Sequence, residues 1–421
     1  MSVRRMSLLV LVMFVGVQSA SGQIPQAKSG DWPWWRGPNR NGIAETQPVV
    51  PTEWSDRENV VWKVPIAGRG HSSPTIVGDK IFLATANEAQ QIQGVLAFDR
   101  NNGKALWQTE ISRGGFPKTH SKKTHATCTV ACDGERLFVT FHHHAKLTLA
   151  ALNLNGKKLW AKDVGPFNPK IYEYGYAPSP AFYGNTVIVA ADYEKGGHLT
   201  AYDRESGRQV WQVRRPRKLS FSSPVIASVS GKDQLLISGC EQVTSYDPGS
   251  GQKLWNVAGT TMATCGTMVW NDQLVFASGG YPKPQTICVA GDGSRVVWKN
   301  NQKCYEQSML LHDGYVYALT DRGIAYCWRA ADGREMWRER LSSPVSASPV
   351  LVGDTIYQSV ESGATYVFKA NPNEFELVAR NQLGDEAFAT PAFTGGRIYA
   401  RIAKQERGRR QEYLYCLGLK K

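Results

Sequence analysis

Beyond residue 17 the chain has no apolar run long enough to cross a bilayer, and the mature part shows no helical hydrophobic period. It has no Gly-x-Ser-x-Gly elbow, no His-Glu-x-x-His and no phosphate-binding glycine loop. The common serine-hydrolase, zinc-protease and nucleotide-hydrolase chemistries therefore lack their signatures. No two cysteines are adjacent, and no Cys-x-x-Cys-His occurs. Nor is there a nucleic-acid-binding module, although the formal net charge is +13.

What is present is one phrase written repeatedly. It reads AFDRNNGKALW at 97–107, AYDRESGRQVW at 201–211 and SYDPGSGQKLW at 245–255, with looser copies at 151–160, 288–298 and 327–337. The closing tryptophans are Trp107, Trp160, Trp211, Trp255, Trp298 and Trp337, spaced by roughly 40–50 residues, a period that signals a repeat architecture. Each repeat opens with a small-residue strand, turns tightly, runs through a β-rich strand, and closes with a hairpin through Asp/Asn-Gly into the tryptophan strand. Eight opening strands can be counted, near Ser73, Thr129, Ser179, Ser223, Thr267, Ser308, Ser348 and Thr390.

The closing strands fix the ring. Six carry tryptophan, and the seventh, FELVAR at 375–380, has lost it. The eighth repeat ends after its third strand, and its missing strand stands upstream as NVVWKV at 59–64, with Trp62. The expectation is an all-β, eight-bladed propeller of four-stranded antiparallel blades over 58–421, closed by an N-terminal strand. Trp62 and the six other tryptophans are read as structural wedges between blades, each indole N–H seeking a carbonyl near a glycine turn.

Residues 1–22 read as a secretory signal peptide: Arg4 and Arg5, an apolar stretch from Ser7 to Val17, and small residues at 19–22. Its removal takes two Arg and no acid, so the net charge falls from +13 to +11. The mature chain is expected to be periplasmic or secreted, without a membrane span, and a monomer. Residues 23–57, with Trp32, Trp34 and Trp35, are expected to form an ordered strap without regular structure, covering a face or rim of the ring.

All eight cysteines lie in the exported part. Cys288, Cys327 and Cys416 align with Ala97, Ala151, Ala201 and Ser245, so they are read as small core residues. Cys128 and Cys132 would sit about 13 Å apart along one strand. Cys240 and Cys265 are the best candidates for a disulfide.

The phrase A-x-D-x-x-x-G-K-x-x-W, complete at Ala97, Asp99, Gly103, Lys104 and Trp107, resembles the tryptophan-docking repeat of quinoprotein dehydrogenases. The resemblance runs from Trp62 to Cys416. With RGPNRNG, HSSPTIVGD and EYLYCLG the chain is similar to exported pyrroloquinoline-quinone-like propellers of planctomycete-type bacteria. The same fold family includes the propeller lipoprotein of the outer-membrane barrel-assembly machine, which binds no quinone. Quinone-using members carry a vicinal Cys-Cys disulfide over the cofactor and a Glu/Asn/Asp set for Ca²⁺. The first is absent here, and the second cannot be mapped by motif.

In propellers the loops leading into first strands, and those joining second to third strands, form the ligand face. Six of the eight histidines fall in the first two repeats. Loop-face candidates for a ligand are His71, His125, Tyr174, Tyr176, Asp192 and Arg322. Metal candidates are His120, His125, His142 and His144, set against a plain polar rim, since consecutive residues of a strand cannot all face inward. No catalytic residue and no cofactor is expected. The leading expectation is a non-catalytic envelope platform for a protein, peptide or polymer, without nucleic acid. The alternative is an alcohol or sugar dehydrogenase using pyrroloquinoline quinone with Ca²⁺.

Overall fold

A computed structural model describes residues 24–342 and 344–419. The segment read as a signal peptide lies outside the described residues. Eight sheets surround an axis, occupying 75–113, 131–166, 181–214, 225–258, 269–300, 310–340, 350–382 and 392–417 (blades 1 to 8). Every described regular element is a strand. In blade 8 the outermost strand is Val60–Ile66, paired antiparallel with Arg409–Leu417, so the ring is closed by hydrogen bonds between the two ends of the chain.

Burial follows position in the blade. The second strand of blade 1, Lys80–Asn87, is buried at six consecutive residues because neighbouring blades cover both of its faces. Its outermost strand, Ala105–Arg113, alternates between exposed and half-buried over most of its length, since only one face meets a neighbour.

Six of the seven tryptophans dock on a glycine turn of the next blade, while the Nε1 groups of Trp62 and Trp211 are buried without a hydrogen-bond partner among the described residues. Trp107 lies against the hairpin of blade 2, its Nε1 donating to Leu154 O at 3.2 Å. A Cβ placed on Gly156 would stand 2.6 Å from the Trp107 ring, and φ there is +84°, so glycine is required twice over. The same docking recurs at Gly103, Gly207, Gly251, Gly293 and Gly333. Trp160, Trp298 and Trp337 also donate to carbonyls of the next blade's hairpin, at 3.2, 2.8 and 2.7 Å. Trp255 differs, donating to Gln234 Oε1. Cys288, Cys327 and Cys416 pair directly with Trp298, Trp337 and Trp62, which confirms the small-residue reading.

The seam between blades 7 and 8 has its own solution. The outer strand of blade 7 is Leu377–Gln382, and Ala379 occupies the tryptophan position opposite Val367. Trp54, from the strap, stacks on Tyr357, the blade 7 counterpart of Phe82 beneath Trp107, with centroids 6.3 Å apart. Its backbone N–H donates to Asn381 Oδ1, and Asn381 Nδ2 donates back to Thr52 O. The lost aromatic is thus supplied from elsewhere in the chain.

The strap is more regular than its composition suggests. Ile43–Ala44 pairs in parallel with Val350–Val352 and gives blade 7 a fifth strand. Trp32 exchanges backbone hydrogen bonds with Ile76 of blade 1, and Cys132 N of blade 2 donates to Pro33 O. Arg36, fully buried, donates to Met309 O, Asn41 O and Pro349 O. Its burial pushes the guanidinium pKa down to about 9. The strap therefore crosses one end of the central channel and seals it.

Candidate functional site

The opposite end of the channel is open. A cavity of about 190 Å³ lies on the axis, and all eight blades contribute to its wall through the segment entering the inner strand. These segments are extended, so every second residue faces the same way. Two tiers result.

The lower tier is a ring of hydroxyls at Ser73, Thr129, Ser179, Ser223, Thr267, Ser308, Ser348 and Thr390. Each stands two residues before its inner strand begins. Their backbone N–H groups donate to the hydroxyl of the next blade: Ser73 to Thr129, Thr129 to Ser179, Ser179 to Ser223, Thr267 to Ser308, Ser308 to Ser348 and Ser348 to Thr390, at 2.8–3.2 Å. At Thr267 the hydroxyl instead accepts the Trp35 indole N–H at 2.8 Å, which fixes Trp35 as the floor. Ser73 Oγ is buried and has no hydrogen-bond partner among the described residues.

The upper tier lies two residues earlier in each blade: His71, Thr127, Ala177, Phe221, Cys265, Glu306, Ser346 and Phe388. Here the chemistry differs from blade to blade. His71 stacks on Phe388, with ring centroids 4.5 Å apart, and its Nε2 is buried without a partner. Burial, with Lys123 and nearby arginines, holds its pKa well below the usual histidine range, so the ring is neutral. Burial also pushes the Cys265 thiol up to about 12, which keeps it protonated.

Above the tiers, Lys123 Nζ lies 3.2 Å from Glu306 Oε1. Burial alone would discharge both groups, but each partner's charge outweighs it. Lys123 is held above, and Glu306 below, its ordinary range. Ser346 Oγ lies 2.7 Å from a carboxylate oxygen of Glu306 and 2.7 Å from one of Glu361. Glu361 in turn accepts from Lys122 at 2.8 Å. Tyr174 and Tyr305 complete the wall.

The residues singled out from sequence are only partly gathered here. His71, His120 and Tyr174 line the cavity. His125 lies outside it, stacked on Phe116 with Nε2 3.0 Å from Pro117 O. Tyr176 is buried and donates to Ala190 O. Asp192 is buried and forms a bidentate pair with Arg215 at 3.0 and 2.8 Å, a scaffold contact. Arg322 is exposed on a turn.

The metal candidates do not converge. His142 packs edge-on against Phe167, His143 Nε2 meets Thr148 Oγ1 and His144 Nε2 meets Arg113 O, while His120 faces the axis. Among the described residues no group of three His, Cys, Asp or Glu is placed to hold a metal ion. Cys240 and Cys265, the best candidates for a disulfide, are not joined. Both thiols are free, Cys240 donating to Lys218 O at 3.2 Å while Cys265 faces the cavity.

Sequence reasoning missed Phe221, Tyr305, Glu306, Ser346 and Phe388 as wall residues. Aligning the repeats on the Ser/Thr position and stepping back two residues would have found all but Tyr305.

The sequence profile described as outer membrane protein assembly factor BamB matches residues 53–164 and 91–339. The outer membrane protein assembly factor BamB of Burkholderia pseudomallei is 22% identical over 380 residues, covering 84% of this chain and 86% of that protein. Among solved structures, BamB from Moraxella catarrhalis superposes with a TM-score of 0.59 at 15% identity, over 84% of this chain and 96% of that one. A europium-containing methanol dehydrogenase superposes at 0.66 with 11% identity, over 93% and 98%. At these identities the structural likeness is one of fold.

Proposed function

The chain belongs to the family described as outer membrane protein assembly factor BamB, and from that premise we propose that it is a non-catalytic assembly platform of the cell envelope. On this reading it works on the periplasmic side and engages envelope proteins during outer-membrane assembly. The observation that carries the reading is the rim of the open face. Ile171 and Tyr281 are 49% and 46% exposed there, and Tyr172 meets Tyr281 edge-on at 5.1 Å. An exposed apolar and aromatic cluster on a rigid ring suits a protein partner. No helix among the described residues is long and apolar enough to cross a membrane.

The dehydrogenase alternative asks the cavity to hold pyrroloquinoline quinone with Ca²⁺. The residues present do not fit that pair. Ca²⁺ takes six to eight oxygen ligands, usually with several carboxylates. Glu306, the one carboxylate among the described residues that line the cavity, is already bound to Lys123 and Ser346.

The test is made in the source cells. Deleting the gene is expected to lower the outer-membrane level of β-barrel proteins. Complementation by an Ile171→Glu/Tyr281→Glu double variant should fail, although that variant folds. Normal barrel levels in the deletion strain, or full rescue by the double variant, would overturn the proposal.

A further inference from the structure

We propose that the axial cavity is a binding site for a neutral, ring-shaped polyol, a sugar of one or two rings. Its blind shape comes first: Trp35 closes the floor, so whatever enters is held rather than passed through. The walls come second. Phe221 and Phe388 belong to blades 4 and 8, which stand on opposite sides of an eight-membered ring. Tyr174 and Tyr305 line the same cavity. Aromatic side chains on opposed walls suit the apolar faces of a ring-shaped ligand.

The polar groups choose the ligand's chemistry. Ser73 and His71 line the cavity, and their Oγ and Nε2 atoms are buried with no hydrogen-bond partner among the described residues. A buried polar group without a partner costs free energy that a ligand hydroxyl would recover. The Ser346 hydroxyl carries one proton and lies within reach of both Glu306 and Glu361. It serves one of them and leaves an acceptor at the other. Hydroxyl groups, which both donate and accept, match this mixture.

Charge excludes the acidic alternative. Lys123 and Lys122 are each engaged by a carboxylate, Glu306 and Glu361. A polycarboxylate would bring negative charge to Glu306 on the wall and Glu361 behind it, and both lysines among the described wall residues are already paired. A neutral polyol leaves both ion pairs intact.

The proposal does not rest on the assembly reading, and its test is separate. The mature protein would be titrated calorimetrically with glucose, N-acetylglucosamine, maltose and cellobiose, and in parallel with gluconate and with pyrroloquinoline quinone plus Ca²⁺. Saturable binding of at least one neutral sugar is expected. Ser73→Ala, which removes no contact of the fold, should weaken that binding about fivefold, and Phe221→Leu tenfold or more, with the melting temperature of Ser73→Ala unchanged. No saturable binding by any of the four sugars would overturn the proposal. So would tighter binding of gluconate or the quinone, or sugar binding indifferent to both variants.

Discussion

Two tiers of the same axial wall, two residues apart in every blade, have opposite habits. The lower is Ser or Thr in all eight blades, and six of the eight hydroxyls accept a backbone N–H from the preceding blade. The upper holds His, Thr, Ala, Phe, Cys, Glu, Ser and Phe in turn. A position that does the same job around most of the ring repeats. A position that faces one cavity from eight directions does not, because each blade offers one side chain to a common volume. Repetition in this chain marks scaffold, and broken repetition marks a candidate site or a substitution made good from elsewhere.

The largest effect expected from that contrast lies at the seam where scaffold repetition fails. Trp54→Ala removes the aromatic that the strap supplies between blades 7 and 8, where Ala379 supplies none. Truncating a buried tryptophan costs about 3–5 kcal/mol. Because the seam adjoins the non-covalent closure through Val60–Ile66, thermal unfolding of this variant should begin earlier and broaden. Calorimetry showing an unchanged transition would mean that Trp54 is a passenger, not the missing wedge.

His142 tests the comparison from the other side, as a residue that sequence placed among ligand groups and the structure places in the scaffold. Burial lowers its pKa to about 4, against about 6.5 in an unfolded chain. Between those values the unfolded chain binds a proton that the folded one refuses. The contribution is complete above pH 6.5 and is lost as pH falls towards 4, about 3 kcal/mol in all. Urea midpoints measured from pH 7 to 4 should fall less steeply in His142→Phe than in the parent chain. Parallel curves would show that the fold does not depend on a neutral His142.

The ring was readable because its signals repeat. The glycine turn and tryptophan recur at one spacing, and the displaced copy at Trp62 states the closure. The small residues opposite each tryptophan follow from the same register, which is why Cys288, Cys327 and Cys416 could be placed. The site was less readable for the converse reason. Glu306 has no counterpart of like chemistry in the other blades and Phe221 has one, Phe388, too few for a pattern to raise them. The histidine run at 142–144 drew attention by composition, yet strand alternation and a turn at His144, where φ is +47°, keep the three rings from converging: His142 packs on Phe167, while His143 and His144 meet edge-on, 5.3 Å apart. Trp54 lay in a segment whose composition said only that it was ordered.

Charge in the upper tier gives an intermediate effect. Lys123→Ala leaves Glu306 facing the cavity without its counter-ion. Removing one partner of a buried pair is costly, and with side chains 18% and 22% exposed here the cost is put at about 2 kcal/mol. The double variant Lys123→Met/Glu306→Leu should recover most of that loss, since apolar replacement of a whole pair is often neutral. A double variant no more stable than Lys123→Ala alone would show that Glu306 serves the fold through Ser346 rather than the cavity.

The smallest effects separate two members of the lower tier itself. Ser348 Oγ accepts the buried N–H of Ser308 at 2.9 Å, so Ser348→Ala strands a donor and should cost about 1–2 kcal/mol. Ser73 occupies the same register, yet its Oγ has no partner, so Ser73→Ala should leave stability within a few tenths of a kcal/mol. The pair holds residue type, burial and backbone setting nearly constant and varies only whether the hydroxyl has a partner. Urea denaturation of both variants reads the difference directly. Equal losses would mean that Ser73 is bonded in the folded protein after all, and the lower tier would then close as scaffold around the whole ring.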